Sequence, residues 1–249
     1  MTGPKSRVAT DDYDGQQQSR DSGKPVLLDA CCKAGGATRG YQQAGFYVVG
    51  VDIEPQPNYV GDEFIQADAM DVLAGDLSRY AAIHASPPCH DHSTVTGRNR
   101  KAEGTKGTGW MLNATLALLR PLTVPWVVEN VGSADMSAGG AWFTLCGSSF
   151  GLNVQRHRRF ASNVAVLAPP CAHHLQPPRF RSLDSRRGAG ALARVVGVHG
   201  HLNYPGEKEL REEAMGIDWM TTAELAQAIP PAYTEWIGDH LLQVIGAAA

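Results

Sequence analysis

No apolar run in this 249-residue chain approaches the roughly 20 residues that a membrane span requires, so a membrane-embedded role is not expected. Cysteine is scarce. The five present, Cys31, Cys32, Cys89, Cys146 and Cys171, are odd in number and share no repeated spacing, which argues against a disulfide framework and suits a reducing compartment. No apolar stretch of the kind a secretory signal carries occurs in the opening residues. Residues 1–24 are polar and are expected to form a disordered tail, and the protein is expected to be cytoplasmic. No internal repeat is visible, and the length suits one domain of ordinary core size with a small appendage.

A gross excess of one charge is also missing, since the formal net charge is −3. The distribution is nonetheless uneven. Residues 96–106 carry +3, from Arg98, Arg100, Lys101 and Lys106 against Glu103, and residues 155–194 carry +7, leaving −13 on the remainder. Two basic segments on an acidic body predict a localised anionic partner, most simply nucleic acid.

From residue 26 the chain alternates short apolar runs with helical patterning: "PVLLDA", "ATRGYQQAGF", "YVVGVD", "EFIQAD", "AAIHAS", "GWMLNATLALLR" and "PWVVEN". Runs of four to six apolar residues ending in a polar group are the pattern of buried parallel strands whose C-terminal ends face a site. The fold class predicted is α/β with a doubly wound, Rossmann-like sheet. The expected division is a catalytic domain over 25–160, a small recognition segment over 161–205 that is rich in Pro, Gly and Arg, and helices over 206–249 returning to the first part.

Gly35 and Gly36 follow the first strand and allow a tight turn into a helix whose N-terminus faces a ligand. Asp52, about 20 residues on, ends the second strand where an acid can hold ribose hydroxyls, and Asp68 follows the third. Lys33 inside the turn fits a nucleoside without pyrophosphate. Its ammonium either points to solvent or pairs with a carboxylate of the cofactor.

"ASPPCHDHS" follows the fourth strand, and Pro87 and Pro88 present Cys89 at the strand end. Three roles are open to that thiol: nucleophile, metal ligand with His90 and His92 (with Cys171, His173 and His174), or packing. Neither His/Cys cluster has the two-to-four-residue gaps of a zinc knuckle, so no metal is expected. A nucleophile is favoured. Glu129, at the end of "WVVEN", is a carboxyl at an apolar strand end, where its pKa rises and it can hold or donate a proton. In "VQRHRRF" a strand would put Gln155, His157 and Arg159 on one face and Arg156 and Arg158 on the other.

In this order the segments resemble the DNA cytosine-5 methyltransferase family, most closely its compact bacteriophage-like members. "DACCKAGGATRGYQQAGF" resembles the family's first cofactor motif, "ASPPC" its Pro-Cys nucleophile loop and "ENV" its glutamate motif. "QRHRRF" resembles the Gln-x-Arg-x-Arg motif, and "AQAIPPAYTEWIG" the last, Asn-containing motif. The resemblance covers about residues 26–160 and 212–239. His90 stands for the usual Gln, His157 for the first Arg, Gln227 for Asn and Lys33 for Gly. "PPCH" is also similar to the nucleophile segment of thymidylate synthases, which share the thiol addition, but the cofactor turn has no counterpart there.

The resemblance implies a Rossmann-like S-adenosylmethionine-dependent methyltransferase sheet with a very small target-recognition lobe. Cys89 would add to C6 of a flipped cytosine, Glu129 would hold N3, Arg159 would contact base and phosphate, and His157 would complete the catalytic group. S-adenosylmethionine would be held by Asp29, Cys31, Lys33, Ala34, Gly35, Gly36, Asp52, Ile53, Asp68, Pro88 and Gln227. DNA would be held by Arg98, Arg100, Lys101, Arg179, Arg181, Arg186 and Arg187. A monomer in a bacterial or phage-infected cytoplasm is expected. Two other functions share these residues: the same chemistry on free deoxycytidine nucleotides or with a carboxylated sulfonium donor, and a catalytically idle DNA-binding protein.

Overall fold

Five of the apolar runs become strands of one seven-stranded sheet, β1 (Val26–Ala30), β2 (Tyr47–Asp52), β3 (Glu63–Gln66), β4 (Ala82–Ala85) and β5 (Trp126–Val131), which β6 (Trp142–Leu145) and β7 (Arg158–Ser162) complete. The structure is a computed structural model that describes residues 23–88, 109–176, 180–181, 192–193, 195–198 and 206–248. The strand order is β3-β2-β1-β4-β5-β7-β6. Pairs from β3 through to β5 are parallel, whereas β7 runs antiparallel to both its neighbours. The helices are α1 (Gly36–Ala44), α2 (Ala69–Leu73), α3 (Gly109–Leu119), α4 (Glu207–Met215), α5 (Thr222–Gln227) and α6 (Pro231–Ala248).

All six residues of β2 are buried, as expected of a parallel strand covered on both faces. Successive residues of each strand serve opposite faces. Leu28, Val49, Ile83 and Val128 pack against Leu112, Leu116 and Leu119 of α3. Leu27, Val48, Ala82 and Val127 pack against Tyr41 of α1 and against Tyr233, Ile237 and Leu241 of α6. A Cβ on Gly40 would lie 2.1 Å from the Pro231 carbonyl oxygen and 2.1 Å from Thr234 Oγ1, so only glycine lets α1 and α6 approach this closely. The Thr234 hydroxyl uses that approach to donate to the Ala37 carbonyl at 2.8 Å.

The chain builds outward from β1 to β2 and β3, then crosses back to β4 and β5 on the other side. The reversal falls between β1 and β4, and their C-terminal ends open the crevice where α/β sheets of this kind bind ligands.

One expected element is shorter than its sequence implies. The strand predicted from Gln155 begins only at Arg158. Backbone groups just before it are taken elsewhere: the Gln155 carbonyl accepts from the Gly147 N–H at 3.3 Å and the Arg156 carbonyl from the Tyr233 hydroxyl at 2.9 Å. Beyond β7, β8 (Phe180–Arg181) and β9 (Leu192–Ala193) pair as a two-stranded antiparallel ribbon. No helix among the described residues is long and apolar enough to cross a membrane.

Candidate active site

The loop leaving β1 turns tightly enough to put two non-glycine residues, Cys31 (φ 61°) and Lys33 (φ 47°), in the left-handed region, followed by Gly35 (φ 84°). Side chains other than glycine resist that region, so the turn is held from outside. Asp52 does this. One of its carboxylate oxygens accepts from the Lys33 N–H at 3.1 Å and the other from the Glu54 N–H at 3.1 Å. The Lys33 ammonium lies 3.0 Å from Glu54 and 3.6 Å from Asp52, so it already faces two carboxylates. From the C-terminal segment, the Trp219 indole donates to the Ala34 carbonyl at 2.9 Å.

Asp29 lies under this turn and is fully buried. The Thr38 hydroxyl donates to its Oδ2 at 2.5 Å, while Oδ1 is buried with no partner among the described residues. Burial raises its pKa to about 7, with Thr38 opposing and the Asp52 charge adding to the rise. The neighbouring thiols are inert. Burial and the carboxylates of Asp52 and Asp29 push Cys31 up to about 12 and Cys32 higher still, so neither is a thiolate near neutral pH.

At the end of β4, His84 is buried and hydrogen-bonded on both ring nitrogens, to Tyr41 at 2.9 Å and Ser86 at 2.8 Å. Burial drops its pKa to about 3, so it is neutral. Pro87 follows, and Asn130 donates from Nδ2 to its carbonyl oxygen at 3.1 Å. This buried clamp ties β5 to the segment leading into Cys89. Next to it on β5, Glu129 is buried, and burial raises its carboxyl pKa while Arg158 and Arg156 oppose the rise. Arg158 Nε lies 2.9 Å from Glu129 Oε1, yet that oxygen accepts no aligned hydrogen bond. The contact is therefore an ion pair in which Oε1, itself buried, makes no aligned hydrogen bond.

One cavity of about 1110 Å³ gathers these elements, above the ~300–1,000 Å³ typical of a site for a single small molecule. Of the residues expected at the site, Asp29, Cys31, Lys33, Ala34, Gly36, Pro88, Glu129, His157 and Gln227 line it. Five others are not on its wall. Gly35 sits behind the turn near Tyr59 and Val60, Asp52 serves the turn backbone, Ile53 is 64% exposed, and Asp68 caps α2 by accepting from the Met70 N–H. Arg159 instead donates to the Ala134 carbonyl at 2.6 Å and stacks over Trp142. Cys89, His90, His92, Arg98, Arg100, Lys101, Arg179, Arg186 and Arg187 lie outside the described residues, as does the side chain of Arg181.

The arginines that do reach the cavity are Arg156 and Arg158. Arg156 bridges the Val198 and Ala226 carbonyls at 3.1 and 2.7 Å. Arg156 and Arg158 repeat the motif's arginine spacing one residue earlier than the sequence reading had it. His157 contributes to the wall, but its Nε2 is 3.4 Å from Cys171 Sγ. Asn130 and Arg158 were within the quoted motifs, and only the strand pairing reveals what they hold.

No protein-family model matches the chain, and no curated protein matches its sequence. Solved structures do resemble it. An E. coli prophage protein named as a DNA modification methyltransferase matches with a TM-score of 0.56 and 12% identity, over 89% of this chain and 99% of its own. The S. pombe methyltransferase Dnmt2 matches with a TM-score of 0.52 and 11% identity, over 89% and 99% respectively. Together with the strand order and the crevice at β1 and β4, these likenesses give the chain a Rossmann-like α/β fold, the fold of these two methyltransferases.

Proposed function

We propose that the chain transfers a methyl group from S-adenosylmethionine to C5 of cytosine in DNA, with Cys89 as the nucleophile. The observation that supports this reading is Glu129: a buried carboxyl with a raised pKa and an oxygen that makes no hydrogen bond, lining the same cavity as the Pro87–Pro88 segment that Asn130 clamps. A proton-holding carboxyl beside a presented cysteine is what thiol addition to a pyrimidine needs.

The turn after β1 fits S-adenosylmethionine. Asp29, whose buried Oδ1 has no partner among the described residues, lines the cavity and suits a cationic or N–H-bearing ligand, and Gly36 lines the same space. Bound there, the cofactor supplies an electrophilic methyl group. Asp29, Lys33, Ala34 and Gly36 would hold it, with Gln227 on the opposite wall. The other expected contacts, Gly35, Asp52, Ile53 and Asp68, would act by shaping the turn or close only with ligand present.

On the substrate side, the Cys89 thiolate would add to C6 while Glu129, which burial disposes to take up a proton against the opposing Arg158 and Arg156, would pass that proton to N3, so charge does not build up on the ring. Arg158 keeps Glu129 in place, and the pair neutralises once the proton has moved. C5 would then receive the methyl group that the cofactor's sulfonium supplies, the neutral thioether departing; a base takes the C5 proton, the Cys89–C6 bond breaks to return the thiolate, and N3 gives its proton back to Glu129, leaving 5-methylcytosine. Cys31 and Cys32, locked as thiols, do not compete. The basic residues Arg98, Arg100, Lys101, Arg179, Arg181, Arg186 and Arg187 would meet the DNA backbone. They leave few groups for reading bases, so a short target sequence is expected.

The test is DNA in which 5-fluorocytosine replaces cytosine. With S-adenosylmethionine present, wild type should become covalently attached, because fluorine cannot leave as a proton would, and Cys89→Ala should not. An adduct that survives Cys89→Ala, or mass analysis showing methylation at another atom, overturns the reading.

A further inference from the structure

Four metal-ligating side chains that the proposed chemistry does not use converge beside the sheet. Cys146 directly follows β6, His157 directly precedes β7, and Cys171 and His173 lie on the segment after β7. Their ligand atoms all fall within 4.8 Å of one another. Cys146 Sγ is 3.2 Å from His173 Nε2, Cys171 Sγ is 3.4 Å from His157 Nε2, and the two imidazole rings meet nearly edge-on, 5.3 Å apart at 83°.

We propose that Cys146, His157, Cys171 and His173 form a structural zinc site that fastens the segment after β7 to the sheet. Two thiolates and two imidazoles are a donor set that zinc takes tetrahedrally, with bonds of about 2.3 Å to sulfur and 2.0–2.1 Å to nitrogen. A tetrahedron of that size separates its donors by roughly 3.3–3.8 Å, so the two S···N pairs need to move by only a few tenths of an ångström. Four protein donors leave no open position for substrate, which makes the site structural rather than catalytic.

The surroundings fit a metal clip. Ser148 lies 3.1 Å from Cys146 Sγ and accepts from the Ala172 N–H at 3.0 Å, tying the first ligand to the loop of the third and fourth. Such outer contacts orient ligands. Cys146 Sγ also lies 2.9 Å from the Gln155 carbonyl. On metal binding both thiols lose their protons, and that carbonyl keeps the Gly147 N–H. Val164 and Val166 pack the start of the fastened segment against the core, whereas Leu167 and Leu175 farther along it are exposed. The sequence argument against a metal weighed spacing along the chain, whereas these ligands come from three separate segments. The inference does not depend on the proposed reaction.

The test is metal analysis of the full chain purified without chelators or added metal. One zinc per chain is expected, and Cys171→Ser with His173→Asn should reduce it to below about one-tenth. His174→Asn, one residue away, should leave it unchanged. Cobalt substitution of the wild type should give the intense visible bands of a tetrahedral thiolate site. Three results would overturn the proposal: a wild-type chain that neither contains nor takes up zinc or cobalt, a mass two hydrogens light from a Cys146–Cys171 disulfide, or zinc that survives the double variant and is lost with Cys89, His90 and His92. The first two need no variant to fold.

Discussion

Asp29→Asn should remove a pH-dependent weakness from the fold. Raising the Asp29 pKa from the ordinary 3.8 to about 7 means that its ionised form is disfavoured in the folded chain by about 4 kcal/mol. Below pH 3.8 the carboxyl is protonated in both states and nothing is lost. As pH rises from there toward 7, the unfolded chain gives up this proton and the folded chain keeps it. Its contribution to unfolding free energy therefore falls by about 1.4 kcal/mol per pH unit, then levels off above pH 7. Asparagine keeps the acceptor for Thr38 and carries no charge. Urea unfolding of both proteins across pH 4–8 should show the variant gaining on wild type up to pH 7 and holding its advantage beyond it. A cationic ligand beside Oδ1 favours the ionised form, so cofactor affinity in wild type should strengthen as pH rises toward 7. Regaining half of the penalty would be worth about thirty-fold. Stability curves that run parallel in the two proteins would refute the burial argument; equal pH dependence of binding would refute the contact.

Gly40→Ala should destabilise the chain by about 3 kcal/mol or more, because the added methyl overlaps the Pro231 carbonyl and the Thr234 hydroxyl, and two packed helices cannot yield cheaply; a shift in thermal midpoint measures this. Asn130→Ala should leave the Pro87 carbonyl without its donor at a cost of about 1–3 kcal/mol, and should slow adduct formation far more than it weakens cofactor binding, which stopped-flow and titration separate.

The sheet was readable because parallel strands buried on both faces leave continuous apolar runs, and "YVVGVD" became a fully buried strand without adjustment. Asp29, Glu129 and the glycine turn were likewise legible, since each ends or follows such a run. Arg159 was not. Its partners, the Ala134 carbonyl and the Trp142 ring, come from segments that no local pattern joins to it. Lys33 offered two directions from sequence, solvent or a ligand carboxylate, and the structure supplies a third in Glu54 and Asp52. The Cys/His cluster was missed for a related reason: Cys146 had no neighbouring ligand in sequence, and its partners arrive only when β6 and β7 pair.

The seating of α6 on α1 sets the order in which the protein can be made. At roughly 5–20 residues per second, some ten to forty seconds pass between synthesis of the two helices. Throughout that interval the face of α1 bearing Ala37 and Tyr41 has no cover, and the glycine groove at Gly40 is empty. The nascent chain holds its strands β1 to β5 without one of their two flanking layers, and the turn after β1 lacks Trp219 and Ile229. Completion of the ligand crevice thus waits on α6, and the growing chain carries an adhesive apolar surface throughout that interval.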